Sequence, residues 1–194
     1  LSKSEYKGKG NELVVWPKYV AAGAAGTILN QTTDPISGAV VYTLSNGIKV
    51  IYKQTEGASD TMFFRAVSKG GISVMKENFG REISFYISDI ANLSEIDGLP
   101  RSVWEKLFSY NNLSLNTTIN SHLEMLEGYS GPASLEKLFH LINLNFTKRK
   151  SDFSSFEIYR KGKGYEALYR NLSPKNVFED SVRYYNASNK RYLP

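Results

Sequence analysis

Apolar residues change period several times along this chain, and each change marks an element. β-Branched and aromatic residues cluster at 39–44 and 48–54 around Asn46-Gly47. Asn-Gly accepts the positive φ of a tight type I′ turn, so these runs predict a β-hairpin. A third β-prone run, 61–69, closes on Gly70-Gly71. The period then lengthens: Phe79, Ile83, Tyr86, Ile87, Ile90 and Leu93 form one stripe and predict a helix over 77–96. Gly98-Leu99-Pro100 breaks it. Pro100 opens a second helix, 100–110, with Val103, Trp104, Leu107 and Phe108 on its inner face. Alternation returns at 112–119, where Leu113, Leu115, Thr117 and Ile119 share one side, and a strand at 122–129 follows. Leu135, Leu138, Phe139, Leu141, Ile142 and Phe146 predict a helix over 133–147. Ser151 or Asp152 caps the next one, which reaches Asn171. Gly162 and Gly164 each weaken that helix by roughly 1 kcal/mol relative to Ala. Ser173-Pro174 starts a last helix, 174–187.

Strands and helices come in groups, β-β-β-α-α-β-β-α-α-α. That order predicts an α+β fold: a mainly antiparallel sheet holding all five strands, with helices 77–96 and 133–147 on one face. Residues 1–38 show little periodicity and many Gly and Pro. They read as a linker or extended N-terminal tail, leaving 39–194 as the α+β domain. Within the tail, Val14-Val15-Trp16-Pro17 lies as an edge strand or anchors against the body.

Composition narrows the function. The chain has 194 residues, enough for one domain with a sizeable core, and its 41% apolar and 22% charged content is ordinary. Twenty-four basic and 19 acidic residues are interspersed, for a net charge of +5. The densest basic runs are Lys148-Arg149-Lys150 and Arg160-Lys161-Gly162-Lys163, which read as solvated faces, not a nucleic-acid footprint. There is no cysteine, so disulfides and thiolate zinc sites are excluded. The longest weakly apolar run, 20–29, is interrupted by Gly23 and Gly26 and falls short of the roughly 20 residues of a membrane span. The chain starts at Leu1 without a signal-like segment, which suggests a fragment or a processed chain.

The order of these elements, with "LSNGIKVIYK", "SKGGIS", "EGYSGPASLEKLFHLINLNFTK" and "NLSPKNVFED", resembles the insulinase/pitrilysin family of zinc peptidases over residues 39–194. The resemblance implies repeated α+β domains closing around a chamber, of which one holds zinc. This chain resembles the first half of a non-catalytic repeat, and 1–38 resembles a connector from a preceding domain. Active members carry H-x-x-E-H on a helix and a further Glu downstream. Two imidazoles one turn apart bind the metal, and the Glu between them serves as general base for its water. Helix 77–96 contains no His. By position the motif would fall near Ser84-Phe85-Tyr86-Ile87-Ser88, and hydroxyl and apolar groups do not replace imidazoles. Glu166 stands near the spacing of the third ligand but reads as a surface residue. No catalytic, metal or substrate-binding residue is therefore assigned in this chain. Zinc is expected in the catalytic domain of a parent peptidase.

The remaining chemistry is sparse. His122 and His140 are the only histidines, and both read as ordinary, partly exposed side chains. Gly128-Tyr129-Ser130-Gly131 lacks the spacing of a nucleophile elbow and reads as a strand-to-helix turn. No phosphate loop is present. Seven N-x-[ST] triplets, among them Asn92 and Asn116 inside predicted elements, follow from an Asn- and Ser-rich composition. Tyr159, Tyr165, Tyr169, Tyr184 and Tyr185 suit helix packing, or alternatively a peptide-binding wall. The functional expectation is a non-catalytic chamber domain of a zinc metallopeptidase. The alternative is an interaction or assembly subunit that retains the fold without proteolysis. Expected partners are other domains of the parent, peptide reaching it, and further copies of the fragment. The resemblance also points to a periplasmic or otherwise extracytoplasmic location.

Overall fold

A computed structural model describes residues 15–19, 23, 26–57, 60–74 and 81–186. They divide into two compact units, Lys18–Asp60 and Thr61–Pro194, the latter together with the segment ending at Pro17. Val14 and residues 77–80 of the expected first helix lie outside the described residues, as does residue 187 of the last.

The smaller unit is an antiparallel sheet in the order β1-β2-β3, formed by Ile28–Thr33, Val40–Leu44 and Lys49–Tyr52. β2 and β3 make the predicted hairpin, with Val41 opposite Ile51 and Tyr42 opposite Val50. Its turn differs from the expected type I′. Gly47 has φ +83°, whereas Asn46 is not among the residues with positive φ. The Gly47 N–H donates to Leu44 O and the Leu44 N–H donates to Ile48 O, each at 2.9 Å. This is a three-residue loop in which a left-handed glycine follows the turn. Asn46 Oδ1 accepts the Ile48 N–H at 3.1 Å, so its side chain holds the turn in place of its backbone. The tail expected over 1–38 is likewise corrected, because residues 28–33 form β1. Asp34 makes the return possible: its carboxylate accepts the Ser37 N–H at 2.8 Å, and its carbonyl accepts that of Gly38 at 2.8 Å. The Ser37 hydroxyl and amide together hold the Asp34 carboxyl below its ordinary pKa.

The larger unit runs β4 (Met62–Lys69), α1 (Arg81–Asn92), β5 (Glu95–Ile96), α2 (Arg101–Asn111), β6 (Leu113–Ile119), β7 (Leu123–Ser130), α3 (Leu135–Thr147), β8 (Arg149–Lys150), α4 (Phe153–Asn171) and α5 (Pro174–Asn186). β4, β7 and β6 form a second antiparallel sheet with β7 central, while β5 and β8 pair separately. The five strands expected in one sheet thus lie in two three-stranded sheets. Alternation identifies a strand and its buried face, but the partner along its edge is decided by the ladder. α1 also ends earlier than expected, at Asn92, and residues 95–96 turn into β5. Asp152 is the cap of α4, accepting the Ser155 N–H at 3.0 Å.

The core gathers Trp104, Leu107 and Phe108 of α2, Leu113 and Leu115 of β6, Leu126 of β7 and Leu138, Leu141 and Leu144 of α3. Met62 and Phe64 join from β4, so the other side of that strand, Phe63, Arg65 and Val67, is exposed. Trp16 packs on this core, which resolves its two expected roles in favour of an anchor. The Gly70-Gly71 strand end is also tied down. Gly70 N–H donates to His122 O, and Ile72 N–H to Asn120 O, each at 2.9 Å. Gly71 takes φ +62°, and a Cβ there would meet the Asn120 carbonyl.

Candidate functional site at the α1–α4 junction

Helix α1 carries residues 84–88, the stretch where the metal motif is expected, and α4 carries Glu166. The side chains of Ser84 and Phe85 lie outside the described residues, whereas Tyr86 and Ser88 are described. The fold brings Tyr86 and Asp89 of α1 against Tyr159 and Lys163 of α4. The Tyr86 and Tyr159 rings meet edge-on at 6.2 Å. The Lys163 ammonium lies 6.0 Å from the Tyr86 centroid and 5.5 Å from that of Tyr159. Lys163 Nζ also pairs with Glu166 Oε2 at 2.7 Å. The Tyr159 hydroxyl donates to Asp89 Oδ2 at 2.5 Å.

These contacts fix the protonation states. Burial, then the bond to Asp89 and its charge, push the Tyr159 phenol well above its ordinary pKa, so it stays a donor. The bond to Glu166 holds Lys163 above its ordinary value, so it stays cationic. The residues do not fit zinc. An ammonium lies beside both aromatic rings, Glu166 is engaged by it, and Asp89 is engaged by a phenol. Among the described residues no group of three or more His, Cys, Asp or Glu could hold a metal ion. With Glu166 mostly exposed, its pair with Lys163 adds only a few tenths of a kcal/mol.

The other side of α1 does something that the apolar stripe does not announce. Ser88 and Asn92, one turn apart, reach the outer edge of β6. Ser88 Oγ accepts the Ile119 N–H at 2.8 Å and donates to Ile119 O at 3.2 Å. Asn92 Oδ1 accepts the Thr117 N–H at 2.8 Å, and its Nδ2 donates to Thr117 O at 2.8 Å. Further along, Arg101 Nη1 donates to Leu115 O at 3.3 Å. Side chains thus satisfy the edge where another strand would otherwise add. Spacing of four on a helix was the available signal, and the N-x-[ST] pattern at Asn92 obscured it. Asn92→Ala is expected to lower stability by about 1–3 kcal/mol, because Thr117 loses both partners. Hydrogen exchange checks it: the Thr117 amide loses protection while Ile119, held by Ser88, keeps it.

The remaining candidates disperse. His122 is exposed on the β6–β7 loop. His140, expected to be partly exposed, is 6% exposed within α3, because its position on the helix faces the core and Trp16 covers it. Ser130 ends β7 fully buried, so its hydroxyl is out of reach of a substrate. Arg149 is drawn inward to Thr117 Oγ1 at 3.0 Å and Asn145 Oδ1 at 2.5 Å. Burial, then the Arg101 charge, lowers its pKa, so the first basic run is no open stripe. Of the tyrosines expected to pack, Tyr165 and Tyr169 of α4 and Tyr184 and Tyr185 of α5 are exposed.

The chain is similar to part of zinc proteases of the insulinase-like kind. The probable zinc protease PqqL of Haemophilus influenzae is 27% identical over 120 residues, which is 62% of this chain and 13% of that protein. Among solved structures, the ferredoxin protease FusC in complex with Arabidopsis ferredoxin superposes with a TM-score of 0.76 at 14% identity, over 93% of this chain and 20% of FusC. The periplasmic protease PqqL from Escherichia coli gives 0.72 at 18% identity, over 99% of this chain and 20% of its own. No protein-family model matches the chain. The chain therefore spans a fifth or less of the proteins that it resembles. Among the described residues, no helix is long and apolar enough to cross a membrane.

Proposed function

We propose that this chain is a non-catalytic domain of a larger zinc metallopeptidase and forms part of the wall of its substrate chamber. The observation that carries this reading is the α1–α4 junction. Where the resemblance calls for imidazoles and a glutamate around a metal, Tyr86, Tyr159 and the Lys163 ammonium stand instead, and a fixed cation repels a divalent one. The exposed side of β4 supports the wall role. Phe63, Arg65 and Val67 there, with Tyr129 on β7, offer apolar area and hydrogen-bonding groups to an extended peptide. On this reading zinc belongs to another domain of the parent. The partners are the parent's other domains and the peptides that enter it; nucleic acid and membrane insertion play no part. The compartment is extracytoplasmic, as for the periplasmic relative.

A second reading, an assembly subunit that keeps the fold without proteolysis, is favoured by one feature. Leu168 of α4, Leu172 just after it, and Phe178 and Tyr185 of α5 are all exposed. One set of measurements addresses both readings. The chain alone is expected to cleave no member of an unstructured peptide library and to retain no zinc after dialysis. It is also expected to form dimers or larger species in light scattering, or to bind the remainder of the parent. Zinc-dependent turnover by the chain alone would refute the non-catalytic assignment. A strictly monomeric chain that ignores the rest of its parent would refute the wall role.

A further inference from the structure

Trp16 is held by three side chains of the larger unit. Its indole N–H donates to His140 Nδ1 at 3.1 Å. Its ring meets Trp104 edge-on with centroids 5.4 Å apart, and the Lys137 ammonium lies 5.8 Å from its centroid. The bond to His140 sets the tautomer. Nδ1 is the acceptor, so the neutral ring carries its proton on Nε2. A proton on Nδ1 would set two donors face to face.

We propose that Trp16 and His140 form an acid-released latch, in which the neutral imidazole holds residues 15–17 on the body and protonation of His140 lets Trp16 go. This goes beyond the chamber-wall reading and does not depend on it. Among the described groups, Asp97, in the turn after β5, and Glu136, in the first turn of α3, favour the imidazolium. Burial outweighs both carboxylates and holds the His140 pKa below its ordinary value. The released state therefore binds the proton more readily than the latched one. The latch is at full strength above the free-imidazole value of about 6.5 and is lost as pH falls through the lower, latched value. Trp104, which is 1% exposed, lies beneath Trp16, so opening the latch uncovers it.

The experiment is an NMR titration of the full chain from about pH 7.5 to about pH 5, the range in which imidazole changes charge. The chain contains two tryptophans and two histidines, so Trp16→Phe and His122→Gln assign every resonance needed. The Trp16 indole N–H is expected to shift along the His140 titration curve, with its midpoint below the free-imidazole value. Tryptophan emission should move to the red over the same interval. In His140→Gln the amide oxygen still accepts from the indole but does not titrate, so the acid response should disappear with the latch closed. An indole resonance that does not follow His140 would overturn the proposal, as would a His140→Gln chain with the full acid response. If that variant does not fold, the titration of the unaltered chain decides alone.

Discussion

Replacing Trp104 with alanine is expected to remove about 3–5 kcal/mol of stability. Trp104 is 1% exposed at the centre of the larger unit, where α2 meets β6 and α3. Its indole N–H donates to Ile96 O at 3.0 Å, which ties α2 to the β5–β8 pair. Truncation leaves a cavity, takes one of two donors from the Ile96 carbonyl, which keeps the Leu99 N–H, and removes the surface on which Trp16 rests. Domains of this size are stable by about 5–15 kcal/mol, so the loss is a large part of the total. Urea denaturation followed by far-ultraviolet circular dichroism measures it. Trp104→Phe should recover much of the packing but not the hydrogen bond, and so fall between the two. A Trp104→Ala chain within 1 kcal/mol of the unaltered one would contradict the assigned core (an order of magnitude typical of surface changes).

Gly128→Ala is expected to destabilise by about 3 kcal/mol or more. Gly128 lies in the central strand of its sheet, opposite Leu115 of β6 and Phe64 of β4. A Cβ there would overlap the Ser114 carbonyl oxygen and come within 3.0 Å of its carbon. Both are backbone atoms of a paired strand, so no rotamer change relieves the overlap and β6 itself must move. Gly162→Ala is the contrasting control. Nothing lies within 4 Å of a Cβ at that position in α4. It should stabilise the helix by up to about 1 kcal/mol. Thermal unfolding of the two variants beside the unaltered chain checks the pair, and equal shifts of the same sign would contradict the close strand approach.

Residue pattern alone determined the longer elements of the larger unit and the hairpin, because helix and strand periods are local properties of one face, but not β1, β5 or β8. Leu113 and Leu115 are buried on β6, Leu138 and Leu141 on α3, and Asp152 caps α4, each where spacing or side-chain chemistry placed it. The absence of histidine from α1 was legible for the same reason, and so was the resemblance carried by the order of the motifs. Strand pairing was not local. The hairpin runs and β4 have equal claims to one sheet by alternation, but the ladders divide them into two. The turn at Asn46-Gly47 was decided by hydrogen bonds that lengthen the loop by one residue, which the dipeptide does not encode.

The candidate site followed the same division. Glu166 was visible as a spacing, and its pair with Lys163 three residues away on α4 is local, but the meeting of Tyr86 and Tyr159 beside that ammonium required α1 and α4 to be brought side by side. Ser88 and Asn92 look like polar interruptions of an apolar helix until β6 supplies the backbone groups that they satisfy. His140 reads as partly exposed because a lone imidazole in a helix has no sequence partner. Trp16, far away along the chain, supplies the donor that makes its burial tolerable. Local physics thus fixed most of the helices and strands, whereas the contacts that join α1 to α4, Tyr159 with Asp89 and Tyr86 with Tyr159, link residues remote in sequence, and only the packed chain decides which of them meet.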